Sequence, residues 1–280
     1  MLTNHHTHSL YSDGSSQPEE YILEAIAKGF SILGFTEHSP LPFENPFSFR
    51  QENKEEYIAL MQNLKQKYAG QIAVYSGMEM DYIPGMSDSF AKLKSEYKLD
   101  YIIGSVHLVR PENSEQLWFT DGPDYKTYDQ GMNELFGGDC KMAVTAYYRQ
   151  LNEMIINQQL DIIGHLDKIK MHNRDRFFRE DEPWYKALVS ETLALIQDCD
   201  LIVEVNTRGI YKQRSETTYP GQDILQQIKK LRIPVMVNSD AHKPYELDLA
   251  FEQGFSMLKE AGIEEVVYFK GNGWVFESIK

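Results

Sequence analysis

The feature that most constrains this chain is an alternation. Short β-like runs, rich in Ile, Val, Leu and aromatic residues, recur with amphipathic helical runs between them. The β-like runs are "LTNHHTHS" (2–9), "SILGFTEHS" (31–39), "IAVYSGMEMDY" (72–82), "YIIGSVHL" (101–108), "LDIIGHLD" (160–167), "LIVEVNTRG" (201–209) and "IPVMVNSDAH" (233–242). Strand, helix, strand in repeated order is the pattern of a parallel sheet or barrel. The first helix spans "SSQPEEYILEAIAKGF"; Ser16 with Glu19 forms a capping box and Pro18 sits in the first turn. The run "EEVVYFK" (264–270) is either an eighth strand or a terminal appendage. Residues 40–50 form a Pro/Phe-rich loop, and residues 109–139, polar and irregular, form an insertion or lid. No linker or repeat divides the chain. At roughly 150 residues per domain its length suggests two, yet α/β barrels run to about 250 as one, and residues 1–280 are expected to form one domain.

The strand ends carry the chemistry. His6 and His8 close the first run, His38 the second, Glu79 the third, His107 the fourth and His165 the fifth; Asp240 and His242 close the seventh. In α/β barrels the active site lies on that rim. Within a strand, residues i and i+2 share a face, so His6 projects with His8, and Asp240 with His242. Asp81 shares the face of Glu79. Imidazole and carboxylate together suit Zn, Mn or Fe. Taken singly, His38, His107 or His165 would more often be a core or surface residue, and Asp13 in "SDGS" a turn residue. It is their shared placement that points to a metal site. His5 is expected to point away from it, and His172, in the charged stretch "KMHNRDRFF", to be solvated. "HHTHS" is not the unbroken run of an affinity tag.

Other classes lack their parts. There is no GxGxxG, P-loop, GxSxG or HExxH. The net charge of −14 argues against a nucleic-acid partner. The two cysteines, Cys140 and Cys199, make neither a disulfide framework nor a Cys-type zinc site, which fits a reducing cytoplasm. No signal peptide is expected at the start, and no run approaches the ~18 apolar residues of a membrane helix.

With "HTHS" and Asp13, "TEHS", "GMEMDY", "GSVH", "GHLD", "EVNT" and "NSDAH" in this order along the whole chain, the sequence resembles the PHP superfamily, in particular its monofunctional histidinol-phosphate phosphatases. The resemblance implies a distorted (β/α)7 TIM-like barrel, with "VVYFK" as an appendage, and a trinuclear centre of Zn, Mn or Fe. It implies that His6, His8 and Asp240 hold one metal, that Glu79 bridges to a second completed by His107 and His165, and that Asp13, His38 and His242 hold the third. It further implies hydrolysis of L-histidinol phosphate by a metal-activated hydroxide, with Asp240 and His242 among the catalytic residues. Arg208, just after the sixth strand, is the expected phosphate contact, because a guanidinium binds bidentately; Lys243 is a weaker candidate. The expected partner is a small phosphomonoester, with no membrane involved. Another PHP phosphoesterase acting on phosphotyrosine, nucleotides or sugar phosphates, a nuclease, a metal-dependent amidohydrolase and a non-catalytic metal-binding module remain the alternatives.

Overall fold

A computed structural model describes residues 1–279, save positions 113 and 123, both inside the expected 109–139 insertion. Among the described residues the strands are β1 (Thr3–Asn4), β2 (Ile32–His38), β3 (Ala73–Asp81), β4 (Tyr101–Ser105), β5 (Leu108–Val109), β6 (Trp118–Phe119), β7 (Ile162–Ile163), β8 (Ile202–Asn206), β9 (Val235–Asn238), β10 (Glu265–Phe269) and β11 (Trp274–Ser278). The helices are α1 (Pro18–Ala27), α2 (Lys54–Tyr68), α3 (Phe90–Tyr97), α4 (Tyr125–Phe136), α5 (Cys140–Asn157), α6 (Pro183–Asp198), α7 (Arg208–Tyr211), α8 (Gln222–Leu231) and α9 (Phe251–Glu260). Seven strands pair in parallel in the order β1-β2-β3-β4-β7-β8-β9. The sheet closes beyond the ends of β1 and β9: Thr7 bridges Ala241, and His8 N–H donates to the Ala241 carbonyl at 2.8 Å. This is the expected seven-stranded barrel.

Alternation along each strand separates two cores. Leu33, Phe35, Ile102, Val203, Val205, Val235 and Val237 pack with the helices. Tyr101, Ile103, Ile162, Ile202 and Met236 form a separate cluster inside the barrel. Val267 and Phe269 of β10 complete that cluster from below, with Trp274 of β11 half-buried against it. The "VVYFK" run is therefore not a barrel strand. It pairs antiparallel with β11 and floors the barrel. Gly34 is required where the Tyr101 hydroxyl crosses β2, since a Cβ there would lie 1.9 Å from it.

Three local expectations are corrected. Helix α1 starts one residue later than the Ser16–Glu19 box implies: Pro18 is its first residue, and Glu20 Oε1 accepts the Gln17 N–H at 3.1 Å. The 109–139 segment is not irregular throughout. It holds the antiparallel β5–β6 pair and α4, whose buried Tyr128, Met132 and Phe136 recur every fourth residue. Trp118 anchors it, fully buried, with Nε1–H donating to the Tyr128 carbonyl at 3.0 Å. That apolar stripe is only three residues wide, so the surrounding polar residues hid it. Finally, β1, β7 and β9 stop before their ionisable residues. His165 and Asp240 occupy turns with φ of 24° and 53°. Their directions are set by left-handed backbone, a conformation held at cost in non-glycine residues and concentrated at functional sites.

Candidate metal centre

All nine expected donors converge at the carboxyl-terminal mouth of the barrel. Their atoms form overlapping groups: His6, His8 and Asp240; His38, Glu79 and His107; His8, Asp13, His38 and His242. A tetrahedral cation with bonds of about 2.0–2.1 Å sets its donors about 3.3–3.4 Å apart. The first group, joined by Glu79, comes close to that spacing. His6 Nε2 and His8 Nε2 lie 3.1 Å apart, 3.3 and 3.4 Å from Glu79 Oε2, and 3.8 and 3.4 Å from Asp240 Oδ1. On the other oxygen of Glu79, His165 Nε2 lies at 2.8 Å and His107 Nε2 at 3.4 Å, with 3.2 Å between the two rings' nitrogens. Asp13 collects the third group, its Oδ2 3.1 Å from His242 Nε2 and its Oδ1 3.8 Å from His38 Nε2. His8 and His38 each face two groups, a sharing the strand pattern could not indicate.

The carboxylates behind the donors fix their tautomers. His6 Nδ1 lies 2.6 Å from Glu204 Oε1, and His107 Nδ1 lies 2.5 Å from Asp81 Oδ1. With Nδ1–H donated backward, each Nε2 lone pair points into the cluster, the arrangement that orients and strengthens a ligating imidazole. Glu204 also accepts from Asn238 Nδ2, Asn206 Nδ2 and the His165 N–H, so one buried carboxylate ties three strand ends together. Glu37 does the same for the Asp13 loop, accepting from the hydroxyls of Ser9 and Ser12, both at 2.5 Å. The sequence reading passed over Glu204 and Glu37, although each lies inside a quoted motif. Nothing local marks a buried carboxylate as a support rather than a ligand.

A match to the PHP domain spans residues 4–208. The chain belongs to the PHP family. It is 28% identical over 270 residues to a probable histidinol-phosphatase of Deinococcus radiodurans, covering 95% of this chain and 96% of that protein. It is also 28% identical over 247 residues to the histidinol-phosphatase of Bacillus subtilis, covering 83% and 90%. The histidinol phosphate phosphatase of Lactococcus lactis, solved with zinc, L-histidinol and phosphate, superposes with a TM-score of 0.69 at 21% identity, covering 98% of both chains. The PHP resemblance and the barrel expected from it are borne out.

Without metal, protons are divided unevenly in this PHP cluster. Burial opposes a charge on His6, but Glu204, Glu79 and Asp240 outweigh it and hold its pKa well above the ordinary value. His38 is likewise pushed up to about 10, burial being overcome by Glu79, Asp13 and Asp81. His8 goes the other way, because burial is joined by repulsion from His242 and His38. Burial would raise Glu79, yet His6, His107 and His38 hold it well below the usual carboxylate range. Asp240 and Asp13 are likewise held low against burial, Asp240 by His6 and Arg208 and Asp13 by His38 and His242, which favours ionised carboxylates among the donors.

Six of the nine donors, all but His6, His8 and His165, line a cavity of about 190 Å³, which Phe47 and Phe119 wall and three cations enter: Arg208, Lys168 and Arg214. Arg208, the expected phosphate contact, lies against two of the donors. Its guanidinium donates to the Asp240 carbonyl at 2.6 Å and lies 2.8 Å from His242 Nδ1. Lys168 is buried, 2.9 Å from Asp121 Oδ2 and 3.9 Å from Asp240 Oδ2. Lys168 and Arg214 escaped the sequence reading because they sit in loops past the strand ends. Lys243 does not belong to the cavity: it is exposed, its ammonium 5.8 Å from the Tyr245 ring. Larger hollows lie elsewhere, one of about 580 Å³ between the 170–180 and 210–217 loops, but the metal-donor groups do not line it. His172 is half-buried against the Gly122 carbonyl at 2.8 Å rather than solvated. No described helix is long and apolar enough to cross a membrane.

Proposed function

We propose that this PHP barrel, a single catalytic domain, is a metal-dependent phosphomonoesterase that hydrolyses L-histidinol phosphate to L-histidinol and phosphate, a late step of histidine biosynthesis in the cytoplasm. The observation that carries the reading is the convergence of eight donors in three groups that could each hold a cation, with His165 2.8 Å from Glu79, beside one small cavity that Arg208, Lys168 and Arg214 enter. The histidinol phosphatases among its relatives, one of them solved with zinc, histidinol and phosphate, support the substrate. His6, His8, Asp240 and Glu79 would hold one metal, Glu79, His107 and His165 a second, and Asp13, His38 and His242 a third, of Zn, Mn or Fe type. Bound there, such ions supply Lewis acidity and an activated water at neutral pH.

The chain's own residues do the rest. Arg208 offers two N–H groups to the phosphate oxygens, and Lys168 and Arg214 add charge where the transition state gains it. Arg208 also holds the Asp240 carbonyl and the His242 ring, coupling phosphate capture to two donors. Phe47 and Phe119, stacked at 5.8 Å, line the cavity and would give a planar leaving group an apolar wall, and Asp121, which also lines it, would face that group's cationic nitrogens. The same aromatic wall also fits an aryl phosphate such as phosphotyrosine, the second reading. Phosphate release from a substrate panel by metal-loaded enzyme, beside a chelated control, decides. Strong preference for histidinol phosphate, lost on chelation and restored by Zn or Mn, is expected. Equal turnover of the panel would remove the histidine-pathway assignment.

A further inference from the structure

Three histidines stand in "HHTH", and the metal reading uses two. The third, His5, does not point away from the barrel as strict alternation implies. It lies inside, fully buried, in the apolar floor beneath the donors, with its ring 5.7 Å from Tyr101 and 6.4 Å from Trp274. The alternation fails because the β1–β2 ladder ends at Asn4, whose side chain then accepts the His6 N–H at 3.0 Å. The next backbone bridge is Thr7 to Ala241. In between, side chains and the hairpin take over. The His5 N–H donates to Asn238 Oδ1 at 2.8 Å, its carbonyl accepts the Tyr101 hydroxyl at 2.7 Å, and its ring Nε2 accepts the Phe269 N–H at 3.1 Å. These bonds come from β9, β4 and β10, and the very next residue is His6.

We infer that His5 and the carboxy-terminal hairpin β10–β11 form a strut that sets the height and tilt of the His6–His8 segment, which makes His5 a positioning residue for the metal centre. The chemistry explains why a histidine stands there. The Phe269 N–H is buried in an apolar floor and needs an acceptor. Phe or Leu would fill the space but accept nothing. An imidazole keeps the aromatic packing and offers an sp² nitrogen, which accepts the Phe269 N–H. Its Nδ1 has no partner among the described residues, a cost that an apolar residue would avoid. The strut holds the donors without touching them: deleting its hydrogen bond lets the segment that carries two Nε2 atoms 3.1 Å apart settle elsewhere.

This inference rests on the proposed metal centre, and cobalt titration of the full chain separates the two. Co(II) absorption reports donor geometry, and its affinity is read independently of turnover. His5→Phe is expected to weaken cobalt binding about tenfold, the scale of a lost ligand support, and to change the Co(II) bands. With metal saturating, kcat should fall while KM holds. His5→Gln, which restores an acceptor, should return both band pattern and affinity toward wild type. Trp274→Leu loosens the hairpin without touching strand β1 and should shift the same bands. Wild-type affinity and spectrum in folded His5→Phe, or in folded Trp274→Leu, overturns the strut. No cobalt uptake by the wild-type chain overturns the metal centre and the strut together.

Discussion

Replacing Glu204 by Gln tests whether the carboxylate behind the donors, and not only the donors, makes the site. Glu204 is fully buried and accepts four hydrogen bonds: from His6 at 2.6 Å, Asn238 at 3.0 Å, Asn206 at 3.1 Å and the His165 N–H at 3.0 Å. Glutamine keeps the shape but has one accepting oxygen. Its amide turns an N–H₂ toward two of those four donors, so two of the bonds become donor against donor. Each buried donor left unpaired costs about 1–3 kcal/mol, so the fold should lose about 2–5 kcal/mol after partial relaxation. The metal effect is separate. If the amide oxygen faces His165 and Asn206, His6 loses its backward acceptor and its inward lone pair is no longer enforced. Loss of such a partner lowers metal affinity 10–100-fold, or about 1.4–2.7 kcal/mol. Zinc affinity is measured by competition with a chromophoric chelator, and stability by urea unfolding of the metal-free protein. Activity should return when zinc is raised by the same factor. Zinc affinity within twofold of wild type, in a folded Glu204→Gln protein, would refute the idea that Glu204 orients His6.

The other expectations are direct. His8→Ala or Asp240→Asn should lose bound metal and phosphatase activity together; a variant with full turnover would sink the donor assignment. Arg208→Ala should raise KM and lower kcat, with Arg208→Lys only partly restoring them, while Lys243→Ala stays near wild type; equal effects of the two would contradict the placement of Arg208 over the cavity. Acid should expel the metals. His38 has a folded pKa of about 10 without metal, above its ordinary 6.5. Its protonated form therefore stabilises the metal-free fold fully below pH 6.5, and that stabilisation fades as pH rises toward 10. Metal must displace this proton, so zinc affinity should rise over the same window, and calorimetry in buffers of different ionisation heat should register at least one proton released at pH 7. No proton release would show that the His38 ring is already neutral.

Much of the fold and site is legible in the chain, and particular residues show why. Val203 and Val205 against Ile202 and Glu204 carry the period of two that separates outer core from barrel interior. His6, His38, Glu79 and His107 fall at the ends of such runs, so their convergence follows from the parallel topology alone. The alternation of strand and helix, read locally, determined a parallel sheet or barrel with its chemistry at the strand ends, and the resemblance to the PHP family made it a barrel. What the sequence could not decide is whatever depends on distances between segments far apart in the chain. Glu79 reaches His165 across 86 positions and His6 reaches Glu204 across 198. Which donor atoms come within reach of one another, that Glu204 lies behind His6, that Lys168 and Arg214 enter the cavity while Lys243 does not, and that His5 turns inward onto Phe269 were decided by the tertiary structure. Periodicity fixes which face a residue takes only while its ladder is regular. At the site the ladders stop, His165 and Asp240 take left-handed turns, and side-chain hydrogen bonds from other strands set the direction instead.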